Sequence, residues 1–510
     1  MTEYLSTNKF TSILPAMHQQ TKWSQLGTLI TVFFFWGFVA ASNDILIPVF
    51  KEKLQLEQWQ SQMISFAFYF AYTIGAVLYL IISKTIGGDI LNKIGYKNGI
   101  ALGLVISTIG ALLFYPAAET ASFALLITGL FIIGLGYSLQ QTAANPLAVI
   151  MGDPRTGSQR LSLAGGVNNF GTTIGPVLVS LAIFGSVTSD TAKIADIGAV
   201  KTPYLILGVL FLLVALIFKF SSIPNKIVSE EEAPVASTPT DVASPLIAPA
   251  RKNSLSYGQL VLGMVAIFIY VGVEVSTASN LPEFMKQHVK TADGLPFPTE
   301  SIAPFISLYW ASLMMGRWTS SVGAFDISNG LKSVLRFLMP YLAFGVFLLI
   351  NKLANHDITP FYIYSLIIIA LILGDFLSKG NPATQLLIFS TFAIIALLIG
   401  IFSTGLTSVY AFTSVGLFCS TLWPCIYTLA IAGLGKHTGE GSNFLIMMIM
   451  GGGVISLLQG YLAKDSLLGI QWSYIVGVAC FAYLAFYAIR AKSILKGQGI
   501  DYDVKVSGGH

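Results

Sequence analysis

Apolar residues in this chain fall in long blocks separated by short charged or Gly/Pro-rich breaks. Each block holds about 17 to 25 residues, enough for a helix rising about 1.5 Å per residue to cross a hydrocarbon core of roughly 30 Å. The pattern predicts helices near 26–49, 60–83, 100–116, 121–150, 161–186 and 203–220. A polar stretch from Ser221 to Tyr257, with Glu230, Glu231 and Glu232 among repeated Pro, Ser and Ala, reads as a flexible linker. Eight more helices are predicted near 258–282, 301–323, 332–351, 359–375, 383–402, 406–433, 441–462 and 471–490. The expected fold is thus an all-α integral membrane protein of about fourteen transmembrane helices. It divides into a first half at 1–220, a linker at 221–257, a second half at 258–490 and a tail at 491–510.

Composition agrees with that pattern. Of 510 residues, 54% are hydrophobic and 10% charged, against roughly a quarter charged in an ordinary soluble domain. Such a chain cannot cover itself with water-facing groups, so lipid is its solvent. The first apolar block outruns a signal peptide and follows a polar, mixed start, so no cleaved leader is expected. With the N-terminus inside, 20 of the 28 Lys and Arg fall on the cytoplasmic side, as the positive-inside rule requires. Both termini are therefore expected in the cytoplasm and the protein in the inner (cytoplasmic) membrane. A net charge of +4 and the lack of a basic cluster interleaved with aromatics set nucleic acid aside as a partner. Cys419, Cys425 and Cys480 lie inside apolar blocks without metal-ligand spacing, so they read as packing residues, and no metal site is expected.

The two halves echo each other. Phe33-Phe34-Phe35-Trp36 leads to a lone acid at Asp44, and Phe268-Ile269-Tyr270 leads to a lone acid at Glu274. Ala144-Asn145-Pro146 is expected to break the fourth helix late, and Leu422-Trp423-Pro424 to break its counterpart. The next helix of each half carries a small-residue seam, Asn168 to Pro176 in one and Gly451-Gly452-Gly453 in the other. Matching order implies a parallel duplication, a recurring transporter plan. On this reading 332–378 is an inserted helical hairpin, because removing it restores six and six.

Polar side chains at membrane depth are costly. A carboxylate at the bilayer centre costs about 2 to 4 kcal/mol, so it normally faces the bundle interior or a water-filled cavity. Asp44 and Glu274 are the clearest such acids, and a carboxyl held there can take a proton on one side and release it on the other. Neutral amides accompany them at Asn43, Gln62, Gln140, Gln141, Asn145, Asn168, Asn169, Asn280 and Asn443. Amides both donate and accept, which suits sugar hydroxyls better than an ion. Aromatic faces at Trp36, Tyr309, Trp310 and Trp423 could stack on a pyranose ring. The alternative for each is interhelical hydrogen bonding or an interfacial anchor.

The loop Gly87-Gly88-Asp89-Ile90-Leu91-Asn92-Lys93-Ile94-Gly95-Tyr96-Lys97 combines glycines with alternating charge and reads as a gate. Asp89 and Lys93 can pair with a helix terminus or a partner charge in one state and release it in the other. Gly316-Arg317 is the equivalent position of the second half. No Gly-Lys-Ser/Thr follows Gly87-Gly88, so this is not a phosphate loop.

As a set, these motifs resemble the major facilitator superfamily, and within it the fucose and glucose/galactose:proton symporter branch. The resemblance covers nearly all of the core. It rests on Phe35-Trp36 through Asn43-Asp44-Ile45-Leu46-Ile47-Pro48, Ala67-Phe68-Tyr69-Phe70-Ala71-Tyr72, Thr142-Ala143-Ala144-Asn145-Pro146 and Arg160-Leu161 through Asn168-Asn169-Phe170-Gly171. It continues with Tyr270-Val271-Gly272-Val273-Glu274-Val275, Met315-Gly316-Arg317, Trp423-Pro424 and Gly451-Gly452-Gly453. The resemblance implies a twelve-helix core with alternating access, a hexose in a central cavity, and transport coupled to protonation of Asp44. Fucose carriers of this branch place a glutamate immediately before Thr-Ala-Ala-Asn-Pro. Here Gln141 stands there, which removes proton coupling through that residue, while Glu274-Val275 looks like the glucose/galactose subgroup. The hairpin at 332–378, with Asp375 inside it, lies outside the ordinary twelve.

The expected function is cation-coupled hexose symport by a monomer embedded in the lipid bilayer. Asp44 and Glu274 are expected to carry the coupling charge. Trp36, Asn43, Gln141, Asn145, Asn168, Glu274, Asn280, Trp423 and Asn443 are expected to bind sugar, and Asp89, Lys93 and Arg317 to gate. No cofactor is expected beyond the coupling ion, H⁺ or Na⁺. The rivals are a sodium-coupled symporter, a fucose-type permease, and a drug or amino-acid carrier. An enzyme would need a nucleophile with a base, or a metal cluster, at membrane depth. The five histidines, His18, His288, His356, His437 and His510, all fall in predicted loops or tails.

Overall fold

The computed structural model describes residues 20–53, 58–184, 201–226, 253–290, 295, 297–298 and 301–503; the side chains of 40–66, 69, 176–184 and 203 stay outside that description. The first half contains α1 (Trp23–Lys53), α2 (Gln58–Thr85), the short α3 (Ile90–Ile94), α4 (Tyr96–Leu112) continued by α5 (Phe114–Glu119), α6 (Phe123–Ile150), α7 (Gly157–Phe184) and α8 (Lys201–Phe220). The second half contains α9 (Gly258–His288), α10 (Ala303–Ser321), α11 (Asn329–Leu353), α12 (Tyr364–Ser378) and α13 (Pro382–Phe402). A bent span of α14 (Gly405–Cys419) and α15 (Leu422–Ile431) follows, then α16 (Thr438–Met447) with α17 (Gly451–Leu462), and α18 (Gly469–Ser473) with α19 (Ile475–Gly497). Counting the bent pairs as one helix each, the described residues form six long helices and then eight, and nine of these are long and apolar enough to cross a membrane. Most of the linker, 227–252, lies outside the described residues.

Local chemistry sets many of the helix ends. Ser122 caps α6 by accepting the Leu125 amide, and Asn381 caps α13 by accepting from Ala383 and Thr384, with Pro382 at the first helical position. Lys379 in the left-handed region (φ 51°) and Gly380 (φ 76°) turn the chain between α12 and α13.

Packing relations of the first half recur in the second. α1 lies on α7 as α9 lies on α17, α2 on α6 as α10 on α14, and α4 touches α6 and α8 as α13 touches α14 and α19. Glycines let the first of these pairs approach backbone to backbone. A Cβ on Gly37 would stand 1.9 Å from the Asn168 carbonyl oxygen, and one on Gly451 would stand 2.0 Å from that of Phe268. α11 and α12 have no counterpart among the described residues of the first half and pack on α10 and α13. α11 exposes most of its surface to lipid: 22% of its apolar stretch is buried, against 94% for α14–α15. Inside the hairpin, Asp375 is buried, with Arg336 Nε 3.5 Å away and the Gln385 amide donating at 3.2 Å.

The expected breaks at proline are corrected by the structure. α6 runs through Pro146 to Ile150 without a break. Pro146 has no N–H to give the carbonyl four residues back, that of Thr142, but Ser442 Oγ of the second half donates to it at 2.8 Å. In the counterpart span the helix breaks at Ser420–Thr421, before Pro424, which sits in the first turn of α15. The carbonyl that Pro424 frees, that of Ser420, accepts Arg317 Nε–H at 3.0 Å. Both proline-freed carbonyls are thus satisfied by side chains from other helices, as lipid demands.

Candidate functional site

The end of the bundle where α1 begins and α19 finishes, here the near end, is where the halves are tied together. Thr21 bonds the Ala324 carbonyl at 3.5 Å and Asn92 bonds that of Lys436 at 3.0 Å. Deeper in, the Asn443 amide donates to the Ala76 carbonyl at 3.1 Å, Ser442 to Thr142, and Trp318 Nε1 to Gly166 at 3.2 Å. Gln159, at the start of α7, seats its buried amide between Gly323 and Gly380, the turns at which the hairpin departs and returns.

Beyond these contacts a cavity of about 170 Å³ opens between the halves, room for one small solute. Six helices converge on it. α1 brings Phe33 and Trp36, α6 brings Gln141 and Asn145, and α7 brings Leu161, Gly165 and Asn168. From the other half, α9 brings Tyr270, Val271 and Glu274, α10 brings Arg317, α15 brings Trp423 and Pro424, and the turn between α16 and α17 adds Ile449.

Of the residues expected to bind sugar, Trp36, Gln141, Asn145, Asn168, Glu274 and Trp423 meet in this one cavity. Gln141 donates to Tyr72 Oη at 2.9 Å and Asn168 to the Phe33 carbonyl at 3.0 Å, which leaves their acceptor oxygens for a ligand. The buried Asn145 Nδ2 has no partner. Glu274 accepts from Tyr270 Oη at 2.9 Å through one oxygen, and Tyr309 Oη holds its backbone carbonyl at 2.8 Å. Trp423 lies beside Tyr270 and Tyr427, with ring centroids 6.3 and 6.2 Å apart.

Other expected site residues are placed elsewhere. The Asn280 amide turns back to the Ser276 carbonyl at 2.8 Å on its own helix. Asn443, fully buried, donates to the Ala76 carbonyl and lines no part of the cavity. The side chains of Asn43 and Asp44 lie outside the described residues.

Among the expected gating residues, Asp89 caps α3 and accepts Tyr79 Oη at 2.6 Å. Its second oxygen faces Gly439 in the first turn of α16, 2.5 Å from where a Cβ would stand. An acid from one half therefore sits at a helix N-terminus of the other, where the dipole favours it. Lys93 instead closes its own loop by donating to the Ile86 carbonyl.

Arg317 joins cavity and closure. Besides Ser420, its Nη1 donates to the Asn169 side-chain oxygen at 2.9 Å and the Gly165 carbonyl at 3.3 Å, both on α7 of the first half. Tyr270 stands four residues before Glu274, one turn back on the same face, so helical spacing was the signal that could have paired them.

An all-helical bundle of two packed halves, joined at one end and enclosing a polar cavity at mid-depth, is the build of a multi-pass membrane transporter. The chain belongs to the Major Facilitator Superfamily, whose family model matches residues 29–457. It is similar to the glucose/galactose transporter of Brucella abortus, 33% identical over 465 residues that cover 91% of this chain and 93% of the relative. It is also similar to the putative glucose/galactose transporter of Helicobacter pylori, 31% identical, with 91% and 96% covered. Among solved structures, the Escherichia coli fucose:proton symporter superposes with a TM-score of 0.66 at 25% identity, covering 91% of this chain and 98% of that one.

Proposed function

We propose that this protein is a hexose symporter for a glucose- or galactose-like sugar, driven by a coupling cation and working by alternating access. The observation that carries this is the cavity lining: three amides with free polar atoms, one carboxylate and two tryptophans, divided between the halves. Hydroxyls both donate and accept, so Gln141, Asn145 and Asn168 suit them, while Glu274 offers a charged acceptor and Trp36 and Trp423 offer ring faces. The names of the relatives point the same way. On the distribution of Lys and Arg, the near end and both termini face the cytoplasm of an inner membrane, and the tied near end corresponds to a carrier shut towards the cytoplasm. A monomer suffices, because the cavity is complete within one chain.

For the coupling ion the proton is proposed. Asp44 is the acid of the first half and Glu274 that of the second, and a carboxyl alternately exposed to the two sides can carry a proton with the sugar. Proteoliposomes loaded with a pH-sensitive dye test this. Adding galactose or glucose outside should acidify the lumen that the dye reports, and Asp44→Asn should abolish that signal. Undiminished coupling in Asp44→Asn removes Asp44 from the mechanism, and uptake that follows sodium at fixed pH replaces the proton by Na⁺.

A further inference from the structure

Behind the cavity wall runs a buried polar chain whose inner members, Gln140 and Ser107, line no part of the cavity. Trp36 Nε1–H donates to Gln140 Oε1 at 2.9 Å, Gln140 Nε2–H donates to Ser107 Oγ at 3.0 Å, and Ser107 Oγ–H reaches the Ile133 carbonyl at 3.4 Å. Gln140 and Ser107 are both fully buried. The chain passes between α4 and α6 where two glycines make room for it. A Cβ on Gly103 would lie 2.6 Å from Gln140 Cγ, and one on Gly136 would lie 2.3 Å from Ser107 Oγ. Gln140 and Gln141 are adjacent on α6, so about 100° of helical rotation separates them: Gln141 faces the cavity and Gln140 faces the lock behind it.

A buried amide between helices is often simple interhelical glue. This one differs in where it ends, on the indole of a cavity-lining residue. With its N–H committed inward, Trp36 cannot spend it on a sugar hydroxyl and offers only its aromatic surface. A ring fixed in one orientation also loses little freedom when a ligand lies against it. We infer that Gln140, backed by Ser107, is a positioning residue that holds Trp36 as a rigid stacking platform for the pyranose ring. The inference rests on the cavity being the sugar site.

The test is a double-mutant cycle on equilibrium binding of radiolabelled D-galactose to the purified full chain. Gln140→Met keeps length and removes both hydrogen bonds; it should weaken binding about 3- to 10-fold, the loss of one neutral hydrogen bond's worth of order. Trp36→Phe keeps a ring but has no N–H, so in that background Gln140→Met should change affinity by less than about twofold. Ser107→Ala in both backgrounds repeats the cycle with a smaller change, and carries it if Gln140→Met does not fold. Equal losses in the two backgrounds overturn the positioning role and leave Gln140 a packing residue. Unchanged binding in Trp36→Ala is a separate outcome: it refutes Trp36 as part of the sugar site, and with it the platform.

Discussion

Asn169→Ala isolates the contact through which the cavity reports to the closure. Its side-chain oxygen accepts Arg317 Nη1–H at 2.9 Å across the interface between the halves, and Asn169 is 8% exposed, so water replaces it poorly while the near end is shut. A hydrogen bond to a charged group contributes about 1.5 to 3 kcal/mol. That bond is absent once the halves part, so its loss falls on the closed state alone and moves the equilibrium roughly 10- to 150-fold towards opening. A closed preference of about 20:1 would fall to roughly 2:1 at the lower bound and reverse at the upper. The readout is a cysteine pair, Asn92→Cys with Lys436→Cys, at positions that touch across the halves with the near end shut. The three native cysteines are buried and silent in this assay. A short bifunctional reagent should cross-link the pair efficiently in the parent and less in Asn169→Ala, the closed fraction falling from about 95% to about 67% at the lower bound and about 12% at the upper. An unchanged yield, with melting temperature intact, would show that the Arg317 contact adds nothing to closure.

Three further outcomes are expected. Glu274→Gln should weaken galactose binding about 10- to 150-fold by loss of a charged acceptor, and Tyr270→Phe by about tenfold or less; a larger effect of Tyr270→Phe in the same binding assay would make the hydroxyl, not the carboxylate, the ligand group. Asp375→Ala leaves Arg336 without its counter-charge and should cost about 3 to 5 kcal/mol, read as a melting temperature several degrees lower, whereas Asp375→Leu with Arg336→Met together should cost less; equal melting temperatures for parent and single variant would refute a stabilising pair. Pro146→Ala supplies an N–H for the Thr142 carbonyl within α6, making Ser442 dispensable. It should move the equilibrium about 2- to 12-fold towards opening and so lower the Asn92/Lys436 cross-linking yield, and a rise in yield would contradict the assignment.

The spans were legible because lipid imposes one demand, about twenty apolar residues in a row, that overrides finer propensities. The costly residues were legible for the same reason: Gln141, Asn145, Asn168 and Glu274 stand out against an apolar background, and they meet in the cavity. Similarity of type could not tell a cavity amide from one holding helices together. Asn443 and Gln141 look alike in sequence, yet one binds the Ala76 backbone across the interface and the other faces the ligand space. Proline misled for a comparable reason. Whether Pro146 breaks a helix depends on who receives the freed carbonyl, and the donor, Ser442, is 300 residues away in sequence.

That freed carbonyl bears on how the carrier opens. While the near end is shut, Thr142 is satisfied by a hydroxyl that belongs to the opposite half. Parting the halves takes the hydroxyl away, and α6 has no N–H to offer instead. A bare carbonyl in a dry interior costs about 1 to 3 kcal/mol, so separation proceeds only as water fills the parting seam. Release through this end is therefore a wetting event, and it should slow when osmolytes draw water from the passage.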